Sequence, residues 1–207
     1  MTKSDLAKSI RSFFEHHLVS ARGLSEYTVL AYRDAWKLFL TFACKHYRKT
    51  STALRLEDIT AETVRRFLEH LERERKNGVQ TRNNRLTAIH AFFQYLATTD
   101  PRHITQCESI LSVPFKRKTA RVPEYLERDE VRKIFGAIKC STPLGQRDDA
   151  LLRLLYNTDM RAQELVSLNV NHLRFTHPYY VRIHGKGQRE RTCPLWSETI
   201  QAPEAIP

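Results

Sequence analysis

The chain of 207 residues carries a formal net charge of +11, with 34 Lys and Arg against 23 Asp and Glu, and is 41% hydrophobic. That apolar share supports cores in one large or two smaller domains, while no stretch approaches the roughly 20 apolar residues of a membrane span. Cys44, Cys107, Cys140 and Cys193 stand far apart without a C-x-x-C pair, which argues against a zinc site and against a secreted disulfide framework.

Free thiols and a start, Met1-Thr2-Lys3-Ser4-Asp5, that opens straight into an amphipathic pattern fit a cytoplasmic protein without a signal peptide. The charge is unevenly spread. Residues 1–122 hold 22 Lys and Arg against 12 Asp and Glu, a net of +10, and residues 123–207 hold 12 against 11. An excess of that kind in the first part suits a clamp on a phosphate backbone.

Four helices are expected in the first hundred residues. Leu6, Ile10, Phe13, Phe14 and Leu18 recur at helical spacing, and Gly23 ends that helix. Ser25 can cap the second, whose stripe is Val29, Tyr32, Trp36, Phe39, Leu40 and Ala43. Thr60 can cap the third, with Val64, Phe67, Leu68 and Leu71 inward and Asn77-Gly78 as its stop. Thr81 opens the fourth, with Leu86, Ile89, Phe92, Phe93 and Leu96 inward and Asp100-Pro101 as its end. These aromatic stripes read as core, not as ligand platforms. The division that follows is a helical domain at 1–100, a basic linker at 101–122 and a second domain at 123–207. The linker contains Pro114-Phe115-Lys116-Arg117-Lys118 and Arg121-Val122-Pro123, cation-rich and punctuated by proline.

Beyond the linker, a helix starts near Asp129-Glu130 and runs through Val131, Ile134 and Ile138; others span about Gln146 to Tyr156 and about Ala162 to Leu168. The period then changes. Tyr180-Val181-Arg182-Ile183 and Arg191-Thr192-Cys193 read as strands around a Gly185-Lys186-Gly187 turn, and Leu173-Arg174-Phe175 adds a third. The fold class is therefore mainly α with a small β-sheet.

Two segments carry chemistry. Asn157-Thr158-Asp159-Met160-Arg161-Ala162-Gln163-Glu164-Leu165 places an arginine where a turn enters a helix, and Lys186 lies on a glycine-flanked turn. A guanidinium fork meets two phosphate oxygens at once and never deprotonates. A partly desolvated lysine can release its proton as a general acid. The first segment resembles the T-G-L-R-x-x-E-L turn of the tyrosine recombinases, the phage integrases and their relatives. The run His184-Gly185-Lys186-Gly187, reaching Pro194-Leu195, resembles their G-K-G β-hairpin. Thr28-Val29 with Tyr32-Arg33, Thr81 to Leu86 with Phe92-Phe93, and Arg147 to Leu152 extend the resemblance over about residues 4–200.

The resemblance implies an N-terminal four-helix, SAM-like core-binding domain followed by the first part of an α+β catalytic domain. It implies that Arg161 binds the scissile phosphate, that Glu164 supports Arg161, and that Lys186 is the general acid. Thr81, Arg82, Asn83, Asn84 and Arg85, at the start of the fourth helix, are the expected contacts in the major groove of double-stranded DNA, and Lys116, Arg117, Lys118 and Arg121 are expected to cross its backbone as in the family's clamp. No metal or cofactor is implied. Asp159 stands where the family usually has glycine; if φ is positive there, aspartate costs about 1 kcal/mol relative to glycine. The family's next motif, H-x-x-R, and its tyrosine nucleophile have no counterpart after Lys186. His70-Leu71-Glu72-Arg73 lies upstream, in the third helix, and Tyr179 and Tyr180 precede the lysine. The expected protein is an integrase-like recombinase of a mobile element, present as an incomplete copy that is inactive alone, with full-length recombinase protomers as further partners. Two alternatives stay open: a DNA-binding regulatory module occupying recombination sites, and a split enzyme whose nucleophile arrives on another chain.

Overall fold

The computed structural model describes residues 5–118, 124–185 and 189–200. The chain forms two compact units, Met1–Arg121 and Val122–Pro207.

In the first unit, helix α1 (Asp5–Ser12) continues into a wider, π-helical stretch, Phe13–Ala21, and Gly23 takes φ +55 where the chain turns away. Only glycine adopts that conformation without a Cβ penalty. Helix α2 (Glu26–Tyr47) follows, its N-terminal Ser25 bonding Thr28 Oγ1 at 3.0 Å. A 3-10 turn (Leu56–Asp58) leads to α3 (Ala61–Arg73), where the Thr60 hydroxyl accepts from the Thr63 amide as a cap. The stop after α3 differs from expectation. Lys76, not Gly78, takes the left-handed conformation (φ 53), and the Asn77 amide reaches back to the Leu71 carbonyl at 2.9 Å. That bond, reaching six residues back, closes the helix end. Gly78 instead precedes α4 (Val79–Thr99), which begins two residues before Thr81.

Six aromatic side chains, Phe13, Trp36, Phe39, Phe67, Phe92 and Phe93, are fully buried where these helices meet. Phe92 is central, edge-on to Phe13, Trp36 and Phe93 with ring centroids 4.6–5.4 Å apart. Burial of each such ring contributes about 1.5–3 kcal/mol. The Trp36 indole N–H donates to the Ala88 carbonyl at 3.2 Å, so its polar atom is satisfied inside the core.

The assignment of residues 101–122 to a linker needs correction for its first half. A 3-10 turn (Pro101–His103) leads into helix α5 (Ile104–Leu111), which packs against α3 and α4. Cys107, Ile110 and Val113 are completely or almost completely buried in the same core as Phe92. Gln106 secures the helix from its side, donating to the carbonyls of Leu56 and Ile59 at 2.7 Å each. The first unit thus has five α-helices, α1 to α5, among the described residues.

The second unit opens with α6 (Arg128–Gly136), capped by the reciprocal bonds of Glu127 and Glu130. Ile138 lies beyond its end. Helix α7 (Pro143–Thr158) starts three residues earlier than expected, with Thr142 as cap and proline in the first turn, and α8 (Ala162–Val166) is a short helix behind a turn. Strands β1 (Leu173–Arg174), β2 (Tyr180–His184) and β3 (Glu190–Pro194) form an antiparallel sheet in the order β1-β2-β3, followed by α9 (Ser197–Ile200). Phe175 falls outside β1. Val181 and Ile183 alternate inward along β2 and join Leu154, Met160 and Leu195 in a second core.

Candidate active site and nucleic-acid interface

The turn between α7 and α8 aims Arg161. Thr158, buried at the end of α7, donates its hydroxyl back to the Leu154 carbonyl at 2.6 Å. Asp159 then takes φ 48 and ψ 35, the left-handed conformation for which aspartate is among the better-tolerated non-glycine residues. Met160 buries its side chain, and Arg161 leaves the turn in extended backbone, with its side chain 74% exposed.

Glu164, one turn into α8, is the centre of the cluster. Its side chain is only 6% exposed, yet it stays ionised because four N–H donors converge on it. The Arg161 backbone amide donates to Oε2 at 2.9 Å and Arg161 Nη1 to Oε1 at 3.0 Å. From β3, Arg191 donates Nη2 to Oε2 at 2.9 Å and Nη1 to Oε1 at 3.3 Å. The Arg191 fork first, then the Arg161 amide, pull the carboxyl down to a pKa of about 2. Arg191 was not singled out by sequence. The register brings it in: Arg191 is the cross-strand partner of Ile183, a buried residue of β2.

The hairpin approaches the same carboxylate. Gly185 donates its amide to the Arg189 carbonyl at 2.7 Å, and a Cβ added at Gly185 would lie 3.3 Å from Glu164 Oε1. The residue before Lys186 therefore abuts the group that holds Arg161. Lys186 itself, and Arg121 in the other unit, lie outside the described residues. Below the hairpin, His184 and Glu190 pair across the strands at 3.0 Å. Tyr180 packs under Arg174, whose hydrogen bond lowers the phenol's pKa, and Tyr179 is partly exposed on the segment entering β2.

In the first unit the residues expected to touch DNA divide into two sets. Thr81, Asn84 and Arg85 line an open groove of about 450 Å³ between α4 and the start of α2, facing Tyr27, Thr28, Ala31 and Tyr32. Tyr27, 72% exposed, is a groove residue that the sequence reading missed; its place one helical turn before Ala31 and beside Thr28 is the signal that could have found it. Arg82 and Asn83 turn instead toward the segment after α5. Arg82 Nη1 donates to the Pro114 carbonyl at 3.0 Å. Asn83 donates to the Lys116 carbonyl at 2.8 Å and accepts from the Lys116 amide at 3.1 Å. Lys116 Nζ in turn pairs with Glu72 at 3.0 Å, while Arg117 and Lys118 are exposed. Partial burial depresses the Arg82 pKa, in keeping with a guanidinium tied to the protein's own backbone.

Two family models match this chain: the N-terminal SAM-like domain of phage integrases over residues 11–99, and the phage integrase family over residues 124–206. The integrase/recombinase candidate y4rD of Sinorhizobium fredii is 34% identical over 203 residues, 97% of this chain and 72% of that protein. The chain belongs to the tyrosine recombinase (phage integrase) family. A second family member from S. fredii, y4rC, is 38% identical over 200 residues, of which this chain spans 60%. Tyrosine recombinase XerD of Haemophilus influenzae is 36% identical over 178 residues, 86% of this chain and 56% of that protein. The chain thus spans little more than half the length of several recombinases that it matches. Among solved structures, a lambda integrase dimer bound to a COC′ core site superposes with a TM-score of 0.68 at 18% identity, over 94% of this chain and 64% of that one. The XerH recombinase bound to palindromic difH substrate gives a TM-score of 0.63 at 19% identity, over 88% and 52%. At that identity the likeness shows the recombinase fold. Among the described residues no group of His, Cys, Asp and Glu could hold a metal ion, and no helix is long and apolar enough to cross a membrane.

Proposed function

We propose that this recombinase-family chain binds duplex DNA, with the first unit gripping the backbone and major groove and the second holding one phosphate at Arg161. The observation that carries the reading is the Glu164 cluster: a nearly buried carboxylate holds Arg161 by its backbone and one guanidinium nitrogen, while most of the Arg161 side chain stays open to an anion. Lys186, the residue after the Gly185 that abuts Glu164, is assigned as the general acid for the departing 5′ oxygen. Thr81, Asn84 and Arg85 supply contacts from the α4 groove, and Arg117, Lys118 and Arg121 supply backbone contacts. Arg82, Asn83 and Lys116 act indirectly, by fixing the course of the segment that carries those cations.

Strand cleavage requires a nucleophile as well as charge stabilisation. Residues 187–207 contain no tyrosine. A polypeptide of these 207 residues is therefore assigned DNA binding without cleavage of its own, whether it occupies sites as a module or joins recombinase protomers that supply the remaining groups.

The test is the salt dependence of duplex binding. With about five phosphates neutralised, log K is expected to fall against log salt with a slope near −4.5. Arg85→Ala is expected to weaken binding more than Arg73→Ala. A flat salt dependence, or equal effects of the two substitutions, refutes the assignment. Incubation with a nicked suicide substrate is expected to give no denaturation-resistant adduct; an adduct mapping to Tyr179 or Tyr180 overturns the non-cleaving reading.

A further inference from the structure

We propose that Arg191 is a positioning residue: by occupying the Glu164 carboxylate from the β3 side, it keeps Arg161 electrostatically available to a phosphate and ties the β2–β3 pair to α8. The proposal rests on the reading of Arg161 as a phosphate ligand and adds a group that this reading does not contain.

The argument begins with charge. Arg161 and Glu164 alone form a neutral pair, and a phosphate meeting such a pair meets little net field. Adding Arg191 leaves two guanidinium groups on one carboxylate, a net single positive charge. The sharing is unequal. Arg191 uses two nitrogens, one on each carboxylate oxygen, whereas the Arg161 side chain uses only Nη1. The fork on Glu164 is thus taken by Arg191, and among the described residues Arg161 Nε and Nη2 remain for an anion.

Exposure agrees with this division. The Arg161 side chain is 74% exposed and that of Arg191 41%, while the carboxylate between them is 6% exposed. Burial strengthens the carboxylate's demand for partners, so removing Arg191 leaves Arg161 as the remaining cation bonded to it in this cluster and draws its guanidinium inward. Geometry adds the second role. Arg191 stands on β3 opposite Ile183, and its Nη1 and Glu164 Oε1 are the side-chain atoms nearest a Cβ built at Gly185, at 3.8 and 3.3 Å. One ion pair across 27 residues therefore fastens the base of the hairpin to the helix that presents Arg161.

The experiment measures binding of a fluorescein-labelled duplex of arbitrary sequence as a function of salt, using the full chain and circular dichroism to confirm folding. Arg161→Ala and Arg191→Met are each expected to make the slope shallower by about 0.9, the loss of one phosphate contact. The two substitutions together are expected to do no more than Arg161→Ala alone. Arg191→Lys, which keeps a cation beside Glu164, is expected to keep the wild-type slope. Arg191→Lys gives a reading even if Arg191→Met fails to fold: a slope as shallow as that of Arg161→Ala, with the ammonium still beside Glu164, overturns the proposal. Additive losses from Arg161 and Arg191 mean that Arg191 touches DNA itself and overturn the proposal. If Arg161→Ala leaves the slope unchanged, the phosphate-ligand reading fails instead. The action of Arg191 is then read from side-chain NMR, where Arg191→Met is expected to slow solvent exchange of the Arg161 guanidinium protons; unchanged exchange overturns it.

Discussion

Ile110→Ala tests whether residues 104–111 are part of the first unit's core or a tether. Ile110 is 0% exposed and packs in the cluster that contains Phe92, Leu96 and Cys107. Truncating an isoleucine in such a place costs about 2–5 kcal/mol, the transfer free energy of the lost carbons plus the cavity they leave. On a surface tether the same change stays within about 0.5 kcal/mol. A loss of about 3 kcal/mol, within that range, corresponds to roughly 12–24 °C in the melting temperature of a domain near 100 residues. Ile104, on the same helix but 47% exposed, provides the control: Ile104→Ala is expected to shift the midpoint far less. Tryptophan emission follows the first unit, because Trp36 is 2% exposed and shifts on unfolding, while Trp196 is already half exposed. A shift for Ile110→Ala no larger than for Ile104→Ala would refute the placement of α5 in the core.

Asp159→Val is expected to destabilise the second unit by about 1–2 kcal/mol, because a β-branched residue is disfavoured at φ 48, whereas Asp159→Gly is expected to hold or gain up to about 1 kcal/mol. Urea midpoints read from the methyl signals of Val181 and Ile183 check both, and equal midpoints for the two variants would count against the strained turn. The same signals test Glu164 against acid. Its carboxyl titrates at about 2 in the folded chain and at an ordinary 4.5 when free, so its stabilisation is complete above about pH 4.5 and is lost as pH falls toward 2. Glu164→Gln is expected to flatten the pH dependence of the midpoint in that window; an unchanged slope would show that the two guanidinium groups do not hold the carboxylate in solution.

The sequence by itself determined the four helical stripes of the first hundred residues, the turn before Arg161 and the family. Helical stripes such as Val64, Phe67, Leu68 and Leu71 repeat at a spacing fixed by backbone geometry, so they are legible without knowing what they pack against. Thr60 and Asp159 announce a cap and a left-handed turn through local hydrogen bonding and local sterics. Where local signals competed, the reading slipped. Asn77-Gly78 looked like the helix stop, but Lys76 took the left-handed position because the Asn77 amide reached the Leu71 carbonyl.

What only the tertiary structure decided are pairings far apart in sequence. Cys107 and Ile110 stand three apart, as on any helix, but the basic, proline-rich run after them made the whole segment read as linker until burial against α3 and α4 set α5 in the core. Asn83 looked like a base contact, yet it spends both polar atoms on Lys116, 33 residues away. Arg191 carried no local signal, because the face a strand residue presents depends on the register of its partner. Pairing with Ile183 turned it toward Glu164, and a one-residue slip would have sent it to the opposite face.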